Sequence, residues 1–320
     1  MSEDTLAAVS VPLPWHAPSW EYLAQQIERG KLPHALLLAG APGTGKARFA
    51  MALARLLLCE KPEAGTNCGH CHACELSAAG NHGDLRWLQP EDNSRIIKVD
   101  QAREAIAFSQ GTAVFGRCKV VVFTPADRMN LNAYNALLKS LEEPAADTYL
   151  VLACDSLHGV PATIRSRCQL RRLETPGVQQ SIDWLQGITG DAQLSEQLLA
   201  LADQRPLLAG ELYRSDTAQE YAAQRAALCA LFTGEVDPAS IWDHFAELEA
   251  DAFLALVCTE LRQQLRRSGV EQLRSAPGRE AFNLLDRATE LQRAVTAGAN
   301  PGRQLLTDLF LSKSHRVLGR

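Results

Sequence analysis

A glycine-rich loop, Gly-Ala-Pro-Gly-Thr-Gly-Lys at residues 40–46, restricts the fold of this chain more than any other segment. An apolar run, Ala35–Ala39, precedes the loop, and a helical pattern, Arg48–Cys59, follows it. Glycines in such a loop let backbone N–H groups surround phosphate oxygens, and the terminal lysine reaches the phosphates. The strand–loop–helix order favours a phosphate-binding site over a plain glycine-rich turn. The residues expected to bind nucleotide are Gly40, Gly43, Gly45 and Lys46.

The residues that would bind magnesium beside this loop are missing. Loops of this type continue with Ser or Thr, whose hydroxyl coordinates Mg²⁺, whereas this chain has Ala47. A second apolar run, Lys119–Phe123, should end in carboxylates that hold the metal and align water, but Thr124 and Pro125 follow it. Asp127 lies beyond the strand, where we expect it to cap the next helix. The sequence therefore predicts no Mg²⁺ site, no ATP hydrolysis and at most weak ATP binding.

Four cysteines cluster after the helix that follows the loop. Their spacing, C-x8-C-x2-C-x2-C, places four thiolates within reach of one ion, which is typical of a structural, tetrahedral Zn²⁺ site. Free thiols and an iron–sulfur cluster are the alternatives, although nothing else in the chain indicates redox chemistry. His70 and His72 lie inside the motif as substitute ligands, but four cysteines already complete the site. The expected zinc ligands are Cys59, Cys68, Cys71 and Cys74.

Composition excludes several classes of protein. The chain has 320 residues, a net charge of −5 and 46% hydrophobic residues. The length suits two or three domains, and the acidic balance disfavours a free-standing nucleic-acid-binding protein. No apolar run approaches the ~20 residues of a membrane span, and the acidic start, Met1–Asp4, is unlike a signal peptide. We therefore expect a cytoplasmic protein with no membrane insertion and with reduced cysteines.

The hydrophobic periodicity changes near residue 172. Before that point short apolar strands alternate with amphipathic helices, which predicts a parallel α/β sheet with helices on both faces. After Thr175-Pro176-Gly177 the pattern is helical, and apolar faces recur within Ala239–Leu265 and Arg279–Ala297. Besides the two strands above, the predicted strands are Asp84–Gln89, Tyr149–Ala153 and a short segment within Arg165–Leu173.

Five segments, spread over nearly the whole chain, carry a resemblance to a known family. They are Leu32–Leu38, the cysteine motif, Asn132–Pro144, Ile164–Cys168 and Asn300–Leu306. Together they resemble the bacterial sliding-clamp loader, a five-subunit AAA+ assembly of the replicative DNA polymerase. The resemblance implies an AAA+, P-loop NTPase-like domain at 1–172 with a zinc-binding insertion at 59–74. It further implies a small helical lid at 173–214 and an all-α collar, the oligomerisation domain, at 215–320.

The incomplete loop and strand resemble the non-hydrolysing branch of this family rather than its ATPase subunits, gamma and tau. The resemblance implies a hetero-pentamer with gamma/tau and delta subunits that loads the sliding clamp onto primed DNA during chromosome replication. The chain would then belong to the DNA-directed DNA polymerase holoenzyme without any ATPase activity of its own. The alternatives are an active gamma/tau-like AAA+ ATPase and a zinc-knuckle nucleic-acid-binding module.

The segment Ser166-Arg167-Cys168 gives such a subunit a catalytic role. In the family, the arginine after the serine contacts the γ-phosphate held by a neighbouring subunit, so the resemblance implies that Arg167 is an arginine finger supplied in trans. A guanidinium suits this role because it is permanently charged and binds phosphate through two parallel hydrogen bonds. A solvated basic stripe is the alternative explanation, and Arg165 is the nearest competitor for the role.

Overall fold

The computed structural model describes residues 7–91, 94–115, 117–296, 299 and 301–318. The acidic start Met1–Asp4 therefore lies outside the described residues, as do Ala297 at the end of one predicted helical region and Asn300 in the last motif.

The chain divides into two compact units. One contains Met1–Ala192 and Arg205–Leu207, and the other contains Gln193–Gln204 and Leu208–Arg320. The finer division into an AAA+ domain, a lid and a collar stays a prediction.

Among the described residues of the first unit, five parallel strands form a sheet in the order β2-β3-β4-β1-β5. Leu37 of β1 lies opposite Leu152 of β4 on one side and Leu170 of β5 on the other. Because the strands are parallel, the loops that follow β1, β3 and β4 meet at one edge of the sheet. The bounds are β1 Ala35–Ala39, β2 Leu85–Leu88, β3 Lys119–Phe123, β4 Thr148–Cys154 and β5 Gln169–Arg172.

Helices cover both faces of this sheet. Val120 and Val122 pack with helices α1 and α2, whereas Val121 and Phe123 pack with α4 and α5 on the opposite face. Burial on both faces explains why the strands read as continuous apolar runs, and the predicted fold class is confirmed. The helices of this region are α1 Ala17–Glu28, α2 Lys46–Leu58, α3 His72–Ala78, α4 Val99–Ser109, α5 Leu131–Glu142, α6 Ala162–Arg165 and α7 Val178–Thr189. Short 3₁₀ turns lie at Pro14–His16, Ala126–Arg128 and Leu157–Gly159.

The expected role of Asp127 as a helix cap is wrong. The cap of α5 is Asn130, whose side-chain oxygen accepts a hydrogen bond from the Ala133 N–H at 2.8 Å. Asp127 lies in the 3₁₀ turn before it, too far from the first turn of α5. Its carboxylate instead accepts the N–H groups of Asp155 and Ser156, at 3.2 and 2.9 Å. Asp127 therefore joins the end of β3 to the end of β4.

The chain beyond residue 191 is helical, as predicted. A core centred on Phe245, Phe253, Leu261 and Phe310 joins the helices that contain Leu228, Leu261, Leu284 and Leu311. Within the described ranges, every helix is too short or too polar to cross a lipid bilayer. The helices are α8 Ala192–Leu201, α9 Pro206–Arg214, α10 Ala218–Phe232, α11 Ala250–Arg267, α12 Val270–Arg274, α13 Ala276–Thr296 and α14 Arg303–Leu318, with a 3₁₀ helix at Pro238–Phe245.

Candidate functional site

The glycine-rich loop joins β1 to α2 and brings the four predicted nucleotide-binding residues together. Gly45 precedes α2 with a φ of 90°, a conformation that side chains other than glycine rarely adopt. The loop therefore ends at a helix N-terminus, where backbone N–H groups and the helix dipole favour anions. This is the local geometry of a phosphate-binding loop, and its residues are Gly40, Gly43, Gly45 and Lys46.

The lysine of this loop binds acceptors of its own chain. Lys46 Nζ donates to the Ala41 carbonyl at 2.6 Å and forms an ion pair with Asp155 Oδ1 at 2.6 Å. Lys46 is 6% exposed. Asp155 directly follows β4, which neighbours β1 in the sheet. No local sequence pattern indicated this pairing of Lys46 with Asp155.

The carboxylates near the loop are also engaged by protein groups. Both oxygens of Asp127 accept backbone N–H groups, and Asp155 is paired with Lys46. Burial and the negative charge of Asp155 raise the pKa of the Asp127 carboxyl. A magnesium site would need a hydroxyl at Ala47 and carboxylates at Thr124 and Pro125, and none of these groups is present.

The N-terminal segment packs on the same loop. The Trp15 indole Nε1 donates to the Thr44 carbonyl at 2.9 Å. Leu13 contacts Gly45 so closely that a Cβ on the glycine would lie 2.2 Å from Leu13 Cδ1. His16 is fully buried beside them, and burial together with the charge of Lys46 lowers its pKa to about 4. No sequence pattern predicted that these side chains would cover the loop.

The four predicted zinc ligands converge. Their Sγ atoms all lie within 4.8 Å of one another, with Cys59–Cys71 at 4.0 Å and Cys68–Cys74 at 3.9 Å. A tetrahedral ion with Zn–S bonds of about 2.3 Å needs sulfur atoms about 3.8 Å apart, so this cluster could hold a metal ion. Among the residues that the structure describes, it is the sole group of three or more His, Cys, Asp or Glu side chains arranged in this way.

The surroundings of the cluster fit thiolate ligands. The Cys68 N–H donates to Cys59 Sγ at 3.2 Å, and Asn67 Nδ2 donates to Cys74 Sγ at 3.3 Å. Such hydrogen bonds orient metal ligands and stabilise their negative charge. His70 and His72 are exposed and stand outside the group of four cysteines.

Arg167, the predicted arginine finger, lies between α6 and β5. Its Nε and Nη2 donate to Glu142 Oε1 at 2.8 and 2.5 Å, and its Nη1 donates to the Thr163 carbonyl at 2.9 Å. The neighbouring Cys168 is buried in the core, and burial raises its thiol pKa to about 12. Arg165 is exposed. The two candidate arginines thus differ in their surroundings, because the Glu142 carboxylate orients Arg167 whereas Arg165 is exposed.

Several known proteins are similar to this chain in sequence. A family model described as DNA polymerase III, delta subunit, matches residues 15–177. The DNA polymerase III subunit delta' of Escherichia coli K12 is 36% identical over 260 residues, which are 79% of this chain and 76% of that protein. The chain belongs to the DNA polymerase III subunit delta' family.

Two further comparisons delimit the relationship. The delta' subunit of Pseudomonas aeruginosa is 43% identical over 202 residues, 62% of this chain and 61% of that protein. The tau subunit of Salmonella typhimurium is 33% identical over 179 residues, which are 27% of that longer protein. The delta' relationship thus extends further along both chains than the relationship to tau.

The fold has a solved counterpart. A DNA polymerase III gamma subunit-related protein from Thermotoga maritima matches with a TM-score of 0.58 over 94% of this chain and 99% of that one. The two sequences are 20% identical, so this likeness concerns the fold. It confirms that this member of the delta' family has the fold of that solved protein.

Proposed function

We propose that this delta'-family chain is a non-hydrolysing subunit of the bacterial clamp loader, which helps to load the sliding clamp onto primed DNA. Family membership supports the place in the clamp loader. One observation carries the non-hydrolysing part: the Lys46 ammonium is bound by the Ala41 carbonyl and by Asp155. An incoming phosphate would have to displace both partners.

The missing metal ligands support the same conclusion. Phosphoryl transfer to water needs Mg²⁺ on the phosphates and a group that orients the attacking water. Ala47 has no hydroxyl, Thr124 and Pro125 have no carboxylate, and Asp127 is hydrogen bonded to backbone. Mg²⁺ and productive ATP binding are therefore not part of the function that we propose for this chain.

An ATPase assay on the purified chain tests this proposal. We expect ATP turnover at background level and no increase in ATP affinity when Mg²⁺ is added, because the chain lacks the metal ligands. A gamma or tau subunit assayed in parallel is the positive control. Turnover that depends on Mg²⁺ would instead identify a gamma/tau-like motor.

We assign Arg167 as the arginine finger for the ATP site of an adjoining motor subunit. A guanidinium has five N–H groups, of which Glu142 and the Thr163 carbonyl take three. One N–H remains on each terminal nitrogen. Nη1 also makes a longer contact with Ser166 Oγ, at 3.4 Å. Two N–H groups on adjacent nitrogens match the geometry with which arginine binds phosphate. In this proposal Glu142 is the positioning residue for the finger.

We assign the four cysteines to a structural Zn²⁺ ion. Four thiolate ligands leave no coordination position for water or substrate, which is characteristic of structural rather than catalytic zinc. The ion would cross-link the end of α2 to the segment that contains α3, since Cys59 follows α2 and Cys74 lies within α3.

The C-terminal helices complete the proposal. We infer that residues 215–320 form the collar that joins the chain to gamma/tau and delta subunits in a hetero-pentamer. The apolar side chains exposed on this part of the chain, among them Val270, Phe282 and Leu305, support a contact that does not depend on nucleotide. Clamp and primed DNA are reached through the complex, in the cytoplasm.

A further inference from the structure

The N-terminal segment, residues 7–16, connects the cysteine cluster to the phosphate loop. At one end it contacts Asn67 and Gly69, which lie on either side of Cys68. At the other end Leu13 and Trp15 cover the loop at Gly45 and Thr44. α2 spans the same two places, because it begins at the loop lysine and is followed by the first ligand. The two sites are therefore linked by two separate stretches of chain.

Arg55 is the first buried connection between these stretches. It lies on α2 and is 1% exposed, and each of its three side-chain nitrogens donates at least one hydrogen bond. Nη1 binds the Ala7 carbonyl and Ser10 Oγ, both at 2.6 Å, and Nη2 binds the Ala8 carbonyl at 2.8 Å. The remaining contacts reach α3, to Ser77 Oγ at 3.1 Å and the Cys74 carbonyl at 3.4 Å. A buried guanidinium tolerates few other arrangements, because each unpaired N–H is costly.

Asn67 is the second connection, and it touches a metal ligand directly. The side chain is also 1% exposed. Its Oδ1 accepts the Ser10 N–H at 2.8 Å, while Nδ2 donates to the Ala8 carbonyl at 3.0 Å and to Cys74 Sγ at 3.3 Å. The same amide thus binds the N-terminal segment and the sulfur. A metal-bound thiolate accepts such a hydrogen bond more strongly than a thiol does.

The N-terminal segment also packs closely against the backbone near these hydrogen bonds. Gly69, between two of the ligands, has a φ of 81°, and a Cβ there would lie 2.8 Å from Val9 Cγ2 and 3.2 Å from the Ala8 carbonyl. The backbone of the cysteine loop, which we define as residues 59–74, therefore contacts the N-terminal segment directly. If the loop changes conformation, the segment loses both its packing surface and the Asn67 hydrogen bonds.

We propose that the metal site anchors residues 7–16 and thereby keeps the phosphate loop covered by Leu13 and Trp15. Zinc bound to the four cysteines would thus keep the nucleotide cleft closed in a subunit that does not use this cleft. The inference rests on the zinc assignment proposed above but is independent of the role proposed for Arg167, and it concerns the chain before any partner binds.

Hydrogen–deuterium exchange on the full chain, measured by mass spectrometry, tests the proposal. Removal of zinc with a chelator should speed amide exchange by about tenfold or more in residues 7–16 and 40–46. The strand Lys119–Phe123 should keep its slow exchange, which shows that the sheet stays folded. Unchanged exchange in residues 7–16 while the cysteine loop itself loosens would overturn the proposal.

A variant that keeps the metal separates anchoring from a general loss of fold. Asn67→Ala retains all four cysteines and should still bind about one equivalent of zinc, but residues 7–16 should exchange faster. Thr66→Ala is the matched control, because the Thr66 hydroxyl bonds the Glu63 carbonyl and not the N-terminal segment. If chelation speeds exchange everywhere, the Asn67→Ala result decides, and wild-type exchange in residues 7–16 of that variant would refute the anchor.

Discussion

At the residue scale, Lys46 and Arg167 differ in what remains available for a phosphate. Lys46 is buried and bound by a carbonyl and a carboxylate of its own chain. Arg167 is half-exposed, and beyond its contacts with Glu142 and the Thr163 carbonyl it has only a longer contact, at 3.4 Å, with Ser166 Oγ. The loop lysine therefore has a structural role in our account, whereas the arginine acts on a ligand held elsewhere.

The first residue-scale prediction concerns Lys46→Ala. In a reconstituted clamp loader this change should leave DNA-stimulated ATP turnover within about twofold of wild type, because the lysine serves no nucleotide. The same lysine change in the phosphate loop of a gamma subunit is the control and should abolish turnover at that site. A severe loss of clamp loading with a normally folded Lys46→Ala subunit would show that this cleft still matters.

The sequence predicted the residues of the motifs but not the partners of Lys46 and Arg167, for a physical reason. The loop glycines, Lys46 and the cysteines stand in local motifs, so their spacing alone indicates their neighbours. The pairing of Lys46 with Asp155 depends on β1 lying beside β4, and no local pattern fixes strand order. The contact of Arg167 with Glu142 joins residues that are 25 positions apart in the chain and depends on the packing of α5 against α6.

At the element scale, strands and helices followed the periodicity, while their ends did not always do so. Continuous apolar runs predicted β1, β3 and β4, because these strands are buried on both faces. The cap of α5 was assigned to the wrong residue: a 3₁₀ turn places Asp127 too early, and Asn130 caps the helix instead. Such turns carry no periodic signal, so the reach of a side chain beyond them cannot be judged from spacing.

The element-scale prediction concerns the cysteine cluster. Cys71→Ser should lower the bound zinc from about one equivalent toward zero and reduce the thermal stability of residues 59–78, because one of four ligands is lost. Cys229→Ser is the matched control, since Cys229 lies outside the cluster and is half-buried on α10. Metal analysis of freshly reduced protein is the measurement, and wild-type protein without zinc would contradict the assignment.

At the scale of the whole molecule, the fold class and the family could be predicted from the sequence. The alternation of strands and helices predicted the parallel sheet, and its change to an all-helical pattern predicted the second unit. The N-terminal segment on the phosphate loop could not be predicted, because its burial depends on Arg55, Asn67 and the cysteine loop meeting in space. The motifs shared with the clamp loader family predicted the relationship that the comparisons confirm.

Assembly of the complex belongs to this scale as well. Leu305 and Leu309 lie one turn apart on α14, and Leu305 is 74% exposed. A charge on this apolar face should weaken assembly with gamma/tau and delta subunits, so we expect Leu305→Asp to elute free of the complex in size-exclusion chromatography. Gln304→Asp adds the same charge at a neighbouring exposed position and should assemble normally. Full assembly of Leu305→Asp would exclude this face from the collar contact.

The central claim is that the chain contributes to ATP hydrolysis in a neighbour through Arg167. The most direct test is the DNA- and clamp-stimulated ATP turnover of reconstituted complexes that carry Arg167→Ala, with Arg165→Ala as the matched control. We predict that the Arg167→Ala subunit folds, keeps its zinc and assembles, while turnover falls more than about tenfold. Arg167→Lys should restore little, because an ammonium lacks the planar fork of the guanidinium, and Arg165→Ala should stay close to wild type. Wild-type turnover in the Arg167→Ala complex would contradict the claim.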